Sequence, residues 1–494
     1  MLSSVHSIPV TRLPGRCAAA GVRLLASSSG IAAALLLAGC ATPVPDLTPG
    51  SPAAPVAAQW HAPLPHGGQL ADLKLWWAQF DDPLLLHLIE AGQQVSPTLA
   101  QASARIADAR AASVAQSAAL MPSVDASIVS SRGRTDLGEL TGTASSVGLQ
   151  LGWVLDLFGA GRAAADAAQA RLESGQAGWH EARVAVAAEV ATTYVELRAC
   201  EARVHQADID TQSRERTAQI TRLAANAGFQ APASADLANA SAAQGKVTLI
   251  RQRMQCDLLI KSLNALTAQD EAALRRDLAS GSALLPKPVE LGIGALPAEL
   301  LAQRPDIYAA ERDVIAASAD ADHAQAQRWP RITLAGNIGT AHIDGVAVSA
   351  NGTVWSIGPV SVTLPLFDGG ARRAKADAAG VRYAAATAVY LARLREAIRE
   401  VEIALVTLDS TAQRSPDAAN ASSGFKRAYL ATEAGYRAGT ASLFELEDAR
   451  RSLLVAQIAE IELQRERVAA WIALYRALGG GWSASPAPDA VARS

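Results

Sequence analysis

Few residues in this 494-residue chain could do chemistry, and their spacing decides what kind. Cys40 closes the run Leu37-Ala38-Gly39-Cys40, directly after the apolar stretch Ile31 to Ala38 and downstream of Arg12, Arg16 and Arg23. A basic segment, an apolar core too short to span a bilayer, and small residues before a cysteine have the form of a bacterial lipobox. There the thiol is acylated and the chain is cut just before it. A plain signal peptide with a chance cysteine is the alternative. Residue 41 is Ala, not Asp, so the inner-membrane retention signal of many lipoproteins is absent. Only Cys200 and Cys256 then remain in the mature chain, and in an oxidising compartment they are disulfide candidates.

Other chemistry is excluded residue by residue. The eight histidines are scattered and none stands at metal-binding His-x-x-x-His spacing. No Gly-x-Ser-x-Gly elbow or triad pattern is found. Gly159-Ala160-Gly161-Arg162-Ala163-Ala164 spells a dinucleotide fingerprint, but a helix of some ~60 residues follows it with no second parallel strand. Its glycines read as a tight strand-to-helix turn. The chain is therefore expected not to be an enzyme and to hold no metal or cofactor, apart from a covalent lipid on Cys40.

The elements that carry these residues are helical and repeated. Half of the chain is hydrophobic but only 4% is aromatic, and the apolar share is mostly Ala, Leu and Val. That favours helix. A net charge of −3 gives no electrostatic case for nucleic acid. Residues 1–39 read as the signal peptide and 40–70 as a Pro- and Ala-rich tether. The body reads as two structural repeats, 71–282 with a β-hairpin at 123–155 and 283–482 with a β-hairpin at 331–365, and 483–494 as a disordered tail. Pro122 and Pro330, Phe158 and Phe367, and Gly228 and Gly439 recur 208, 209 and 211 residues apart. Val147, Leu149, Leu151 and Trp153 alternate with small or polar residues, as do Trp355, Ile357, Val360 and Val362. Segments of ~9–11 residues with one apolar face suit a membrane β-barrel, although an ordinary half-buried hairpin has the same pattern.

The stretch Ala371 to Arg437 would span roughly 100 Å as one helix, with Ser415-Pro416 and Asn420 to Gly424 expected to kink or break it. Cys200 and Cys256 lie symmetrically about Gly228, the expected tip of the first helical hairpin. Level placement across two antiparallel helices suits a cross-link, and two buried free thiols are the alternative. Two hairpins give four strands, which leave two open edges that lipid does not tolerate. The chain must therefore oligomerise.

Several motifs resemble one family: Trp76-Trp77 with Phe80-Asp81-Asp82-Pro83-Leu84, Leu155-Asp156-Leu157-Phe158-Gly159, and Arg304-Pro305-Asp306-Ile307. Leu364-Pro365-Leu366-Phe367-Asp368-Gly369-Gly370 and Ala477-Leu478-Gly479-Gly480-Gly481-Trp482 complete the set. Together they resemble the TolC-like outer-membrane efflux channels, in the lipoprotein branch that includes OprM and the NodT group. The resemblance covers almost all of the mature chain. It implies a fold that is mainly α with membrane β: a homotrimer whose four strands per chain form a twelve-stranded transmembrane barrel above a periplasmic α-helical barrel. It also implies a periplasmic adaptor and an inner-membrane efflux pump as partners, and outer-membrane lipid around the barrel.

The segment Tyr436 to Ala449 resembles the closed periplasmic tip of that family. By that match Tyr436, Phe444, Glu445 and Asp448 are gate residues, with the two acids placed for a ring and Phe444 for an apolar plug. Positions 444 and 448, and 445 and 448, share a helix face. A solvated charged face is the alternative. Ala441 stands where some members carry Arg, so that bond to a neighbour is missing. A periplasmic adaptor lipoprotein would show one helical hairpin rather than two, and a lipid-tethered hydrolase would need a nucleophile pattern, so both are runner-up readings.

Overall fold

The structure, a computed structural model, describes residues 73–133, 141–287, 304–345 and 349–482. The expected signal peptide, Cys40, the tether and the C-terminal tail lie outside these residues.

Capping chemistry sets where the first helices begin. After a 3-10 helix, Leu73–Phe80, the carboxylate of Asp82 accepts the N–H groups of Leu84 and Leu85, both at 3.1 Å, and starts α1, Pro83–Val95. Ser96 accepts the Leu99 N–H and starts α2, Pro97–Ala118. These side chains satisfy donors that a helix N-terminus leaves free, and proline at the first position has no N–H to lose. The strands β1, Ser123–Gly133, and β2, Gly142–Leu155, follow. Then come α3, Ala160–Asn226, and α4, Pro232–Thr267, with a short α5, Glu271–Ala279. The order recurs as α6, Pro305–Ala326, β3, Arg331–Gly345, β4, Ser349–Thr363, α7, Ala371–Arg437, and α8, Leu443–Ala477. Corresponding helices match in length: 22 residues in α2 and α6, and 67 in α3 and α7.

The four strands form one antiparallel sheet in the order β1-β2-β3-β4. Register fixes what each face carries. Ala126, Leu149, Ile338 and Trp355 are aligned across the sheet, as are Val124 and Leu151, and all share one face. On the other face Asp125, Gln150, Asn337 and Ser356 form a polar row across all four strands. Ile338, Trp355 and Ile357 are 56%, 69% and 86% exposed. A sheet with one exposed apolar face and one polar face is built to stand between lipid and an aqueous lumen. Among the described residues no helix is long and apolar enough to cross a membrane.

The seam between the two halves has no space for side chains. Gly148 and Gly339 are paired on β2 and β3, and a Cβ on Gly339 would lie 2.4 Å from the Val147 carbonyl oxygen. We expect Gly339→Val to displace the seam at a cost of about 1–3 kcal/mol per chain. The measurement is the yield of heat-resistant oligomer on gels, and a wild-type yield would show that the strands can part without loss.

Below the sheet, α3 pairs with α4 and α7 with α8. Gly159 and Gly370 have φ of 79° and 89°, which lets the chain turn from strand to helix. At each elbow a carboxylate caps the new helix. Asp156 accepts the N–H groups of Gly161 and Arg162, and Asp368 those of Gly370 and Arg372. The motifs Leu155 to Gly159 and Phe367 to Gly370 are thus helix starts, with the negative charge at the positive end of the dipole.

The helix continues from Ala371 to Arg437 with Pro416 inside it, so the expected break at Ser415-Pro416 or Asn420 to Gly424 does not occur. Proline removes one hydrogen bond, to the carbonyl of Ala412, and Ala412 is exposed, so water can take that carbonyl. The main core lies midway along the helices. Trp76 packs on Trp471 and Tyr475 with ring centroids 5.7 and 5.8 Å apart, and Leu88, Val190, Leu197, Leu263 and Leu405 complete it.

Candidate functional site

The ends of the two helical hairpins are where the sequence placed a gate, and there the structure joins the hairpins by a polar network. Glu447 on α8 holds it together. One of its oxygens accepts from Arg450, and the other accepts from Arg214 on α3 at 3.1 Å and Ser241 on α4 at 2.8 Å. Arg450 is 3% exposed and reaches α3 again through Thr217 at 2.9 Å and Ser213 at 3.2 Å. Arg214 is held in turn by Asp210 at 2.7 Å. Two tyrosines of α7 add bonds, Tyr429 to Ser213 and Tyr436 to Thr221, each at 2.7 Å. Every element of both hairpins therefore has a polar side chain in this network.

Tyr436 meets a partner 215 residues earlier and Tyr429 one 216 earlier, whereas the repeat places α7 at 371−160, or 211, after α3. That difference of about four residues, ~6 Å along a helix, is within the reach of a tyrosine leaning toward the N-terminus of its own helix, and the tip of the first hairpin lies beyond Thr221. That first tip carries Gly228 and an 84% exposed Phe229.

The four expected gate residues are not brought together in one constellation. Tyr436 binds α3. Phe444 is 74% exposed. Glu445 is the third residue of a capping box: its carboxylate accepts the Ser442 N–H at 2.6 Å and hydroxyl at 2.8 Å, while its own N–H donates to the Ser442 hydroxyl at 3.2 Å. Those bonds, the backbone one first, hold its pKa below the ordinary carboxylate value. A depressed folded pKa stabilises the cap above the unfolded value, and the contribution is lost as pH falls through the folded one. Asp448 faces solvent and pairs with Arg451.

Higher in the helices, the sulfur atoms of Cys200 and Cys256 lie 2.13 Å apart with Cα atoms at 5.6 Å, in the geometry of a disulfide between α3 and α4. Peptide mapping without reductant should recover the linked pair, and recovery of both peptides as free thiols would remove this cross-link.

Two buried arginines fasten the middle of the molecule. Arg198, 1% exposed, donates to the Tyr194 hydroxyl, to Glu201 and to the carbonyls of Leu278 and Ser280. Tyr194 donates on to Asp82 at 2.6 Å. Burial, then that bond to Asp82, pushes the Tyr194 pKa well above its ordinary value, so the phenol stays a donor. Arg304 grips Asp306 with two nitrogens and reaches Glu400 and the Ala477 carbonyl. The motif Arg304-Pro305-Asp306 is thus a clasp joining the start of α6, the middle of α7 and the end of α8.

The long paired helices, joined by elbows to a sheet with one apolar face, define the TolC-like class of channel subunits. The chain belongs to the outer membrane efflux protein family, whose model matches residues 88–269 and again 296–480. Outer membrane protein OprJ of Pseudomonas aeruginosa is 31% identical over 440 residues, covering 87% of this chain and 91% of OprJ. The solvent efflux pump outer membrane protein SrpC of Pseudomonas putida is 28% identical over 468 residues, covering 92% of this chain and 98% of its own. Among solved structures, the outer-membrane channel OprN superposes with a TM-score of 0.76 at 28% identity, over 87% of this chain and 98% of that one. The expected family and its mainly helical, four-stranded fold are therefore borne out.

Sequence reasoning missed Glu447, Arg214 and Arg450. The partners of this network stand 233 residues apart, and no local spacing announces them. The capping box was legible as Ser442-x-x-Glu445, a standard helix-start pattern.

Proposed function

We propose that three copies of this chain form the outer-membrane exit duct of a tripartite efflux pump, anchored by lipid on Cys40 and engaged from the periplasm by an adaptor and an inner-membrane pump. The observation that carries this reading is the sheet: four strands, an apolar outer face and two unpaired edges, β1 and β4. Open edges cost several kcal/mol per unsatisfied group in lipid, so β4 of one copy pairs with β1 of the next until twelve strands close. The polar row through Asp125 then faces the lumen. The long helices continue the wall into the periplasm, and their tips form the closed end. Light scattering of the purified protein, with the detergent subtracted, should give the mass of three chains, and the mature N-terminus should be an acylated Cys40. A monomer-sized barrel would overturn the trimer, and an unmodified N-terminus elsewhere would remove the anchor.

Phe444 and Asp448 are exposed on the first turns of α8, where copies can meet around the axis. An acidic ring there favours cations. Asp448→Ala should weaken block by divalent cations in planar bilayers. Unchanged block would make Asp448 an ordinary partner of Arg451.

A further inference from the structure

One departure from a featureless duct lies where the sheet meets the helices. A cavity of about 590 Å³ is lined there by Leu120, Leu157, Phe158, Trp329, Pro330 and Pro365. Its opening is placed by strand parity. Val154 is paired with Thr333, and Thr333 and Arg331 are aligned with Ser361 and Thr363. These positions have the parity of Asp125, Gln150 and Asn337, so four of the five strand residues lining the cavity, all but Leu155, belong to the polar face of the sheet. One wall is a stacked aromatic pair, Phe158 and Trp329, with centroids 5.9 Å apart and planes 13° apart.

The charges around the cavity are unequal. Asp156 is consumed by the N–H groups of Gly161 and Arg162. Arg372 is paired with Asp368 at 3.0 Å. His323 is bonded through one ring nitrogen to the Ala160 carbonyl and through the other to Gln327, both at 2.7 Å. Arg331 also lines the cavity and is exposed, and its guanidinium has no partner among the described residues. An uncommitted cation beside the aromatic wall of a cavity of drug-sized volume is complementary to one kind of molecule.

We propose that this cavity is a transit site for amphipathic organic anions: a planar apolar body against Phe158 and Trp329, and an anionic group on Arg331. The proposal rests on the channel reading, because the polar face is a lumen only in a closed barrel. It gives the duct a preference of its own, in three copies per trimer, just inside the outer membrane.

The test uses the full chain in phosphatidylcholine nanodiscs, with empty nanodiscs subtracted. The probes are anilinonaphthalene sulfonate and its uncharged parent, phenylnaphthylamine, followed by fluorescence. We expect saturable binding of the sulfonate at one site per chain, weakened about tenfold by Arg331→Ala and restored to within a few-fold by Arg331→Lys. The uncharged parent should bind weakly and equally to all three proteins. Equal binding of the sulfonate to the wild type and Arg331→Ala, non-saturable uptake, or a parent that binds as tightly as the sulfonate would each overturn the site. Conductance of the wild-type protein in planar bilayers, measured separately, tells failure of the site from failure of the channel reading.

Discussion

Glu447→Ala should open the channel. The carboxylate stands between two arginines, Arg214 and Arg450, which come from different hairpins, and it is their shared acceptor along with Ser241. Without it Arg214 keeps Asp210, but Arg450, 3% exposed, is left with only the hydroxyls of Ser213 and Thr217. Removing one partner of a buried ion pair costs about 3–5 kcal/mol, because the other charge is left without compensation. Glu447 itself is 19% exposed, so the lower end applies. A bond set made only while the hairpins lie together shifts the closed-to-open ratio by its full value, and about 3 kcal/mol is on the order of a hundredfold. In planar bilayers the variant should spend most of its time in a conducting state, while the heat resistance of the proposed trimer, set by the sheet, stays unchanged. Glu447→Gln keeps the shape and one acceptor and should fall between. If Glu447→Ala conducts like the wild type while Tyr436→Phe or Asp448→Ala opens it, the closing contacts lie elsewhere on the tips.

The contrast between the expected and observed tip shows what a sequence of this kind conceals. The long helices were legible because their signals are local: Ala-rich runs, a left-handed glycine at each start, a glycine at each tip. The strands were legible because alternation has period two, and Val147, Leu149 and Leu151 fall on one face. Cys200 and Cys256 were legible because a hairpin imposes symmetry about its turn. The network through Glu447 has no such symmetry. It depends on how the two hairpins lie against each other, which no local pattern encodes: Tyr436 bonds to Thr221, four residues before its counterpart position Ala225. Glu445 and Asp448 drew attention through the resemblance to the family's closed tip, while within one chain one serves the cap and one pairs with Arg451. The acid that joins the hairpins was the one between them. Pro416 fails in the opposite sense, since a strong local breaker sits inside a helix that continues for 21 more residues to Arg437.

Arg304→Met should loosen the middle of the molecule without touching the tips. Its guanidinium is 7% exposed and forms a two-pronged bond to Asp306 at 2.9 and 2.7 Å. It also reaches Glu400 on α7 at 2.9 Å and the Ala477 carbonyl at 2.7 Å, the last residue of α8. That carbonyl is one of those a helix end leaves free. Burial opposes the charge on Arg304, but Asp306 and then Glu400 outweigh it and the pKa is raised, so the residue is a permanent cation. Methionine fills a similar volume and leaves two carboxylates and a carbonyl without their donor, at a cost of about 3–5 kcal/mol. Lysine keeps the charge but cannot reproduce the fork, so Arg304→Lys should lose part of that. Arg476, 3.4 Å from Glu400, can recover some of the lost pairing and sets the loss toward the lower figure. Thermal unfolding followed by helical circular dichroism in detergent should fall in the order wild type, Arg304→Lys, Arg304→Met. Trypsin should meanwhile cut the methionine variant in mid-chain rather than at the tips. A methionine variant as stable and as resistant as the wild type would mean that the core around Trp471, not the clasp, holds α6, α7 and α8 together.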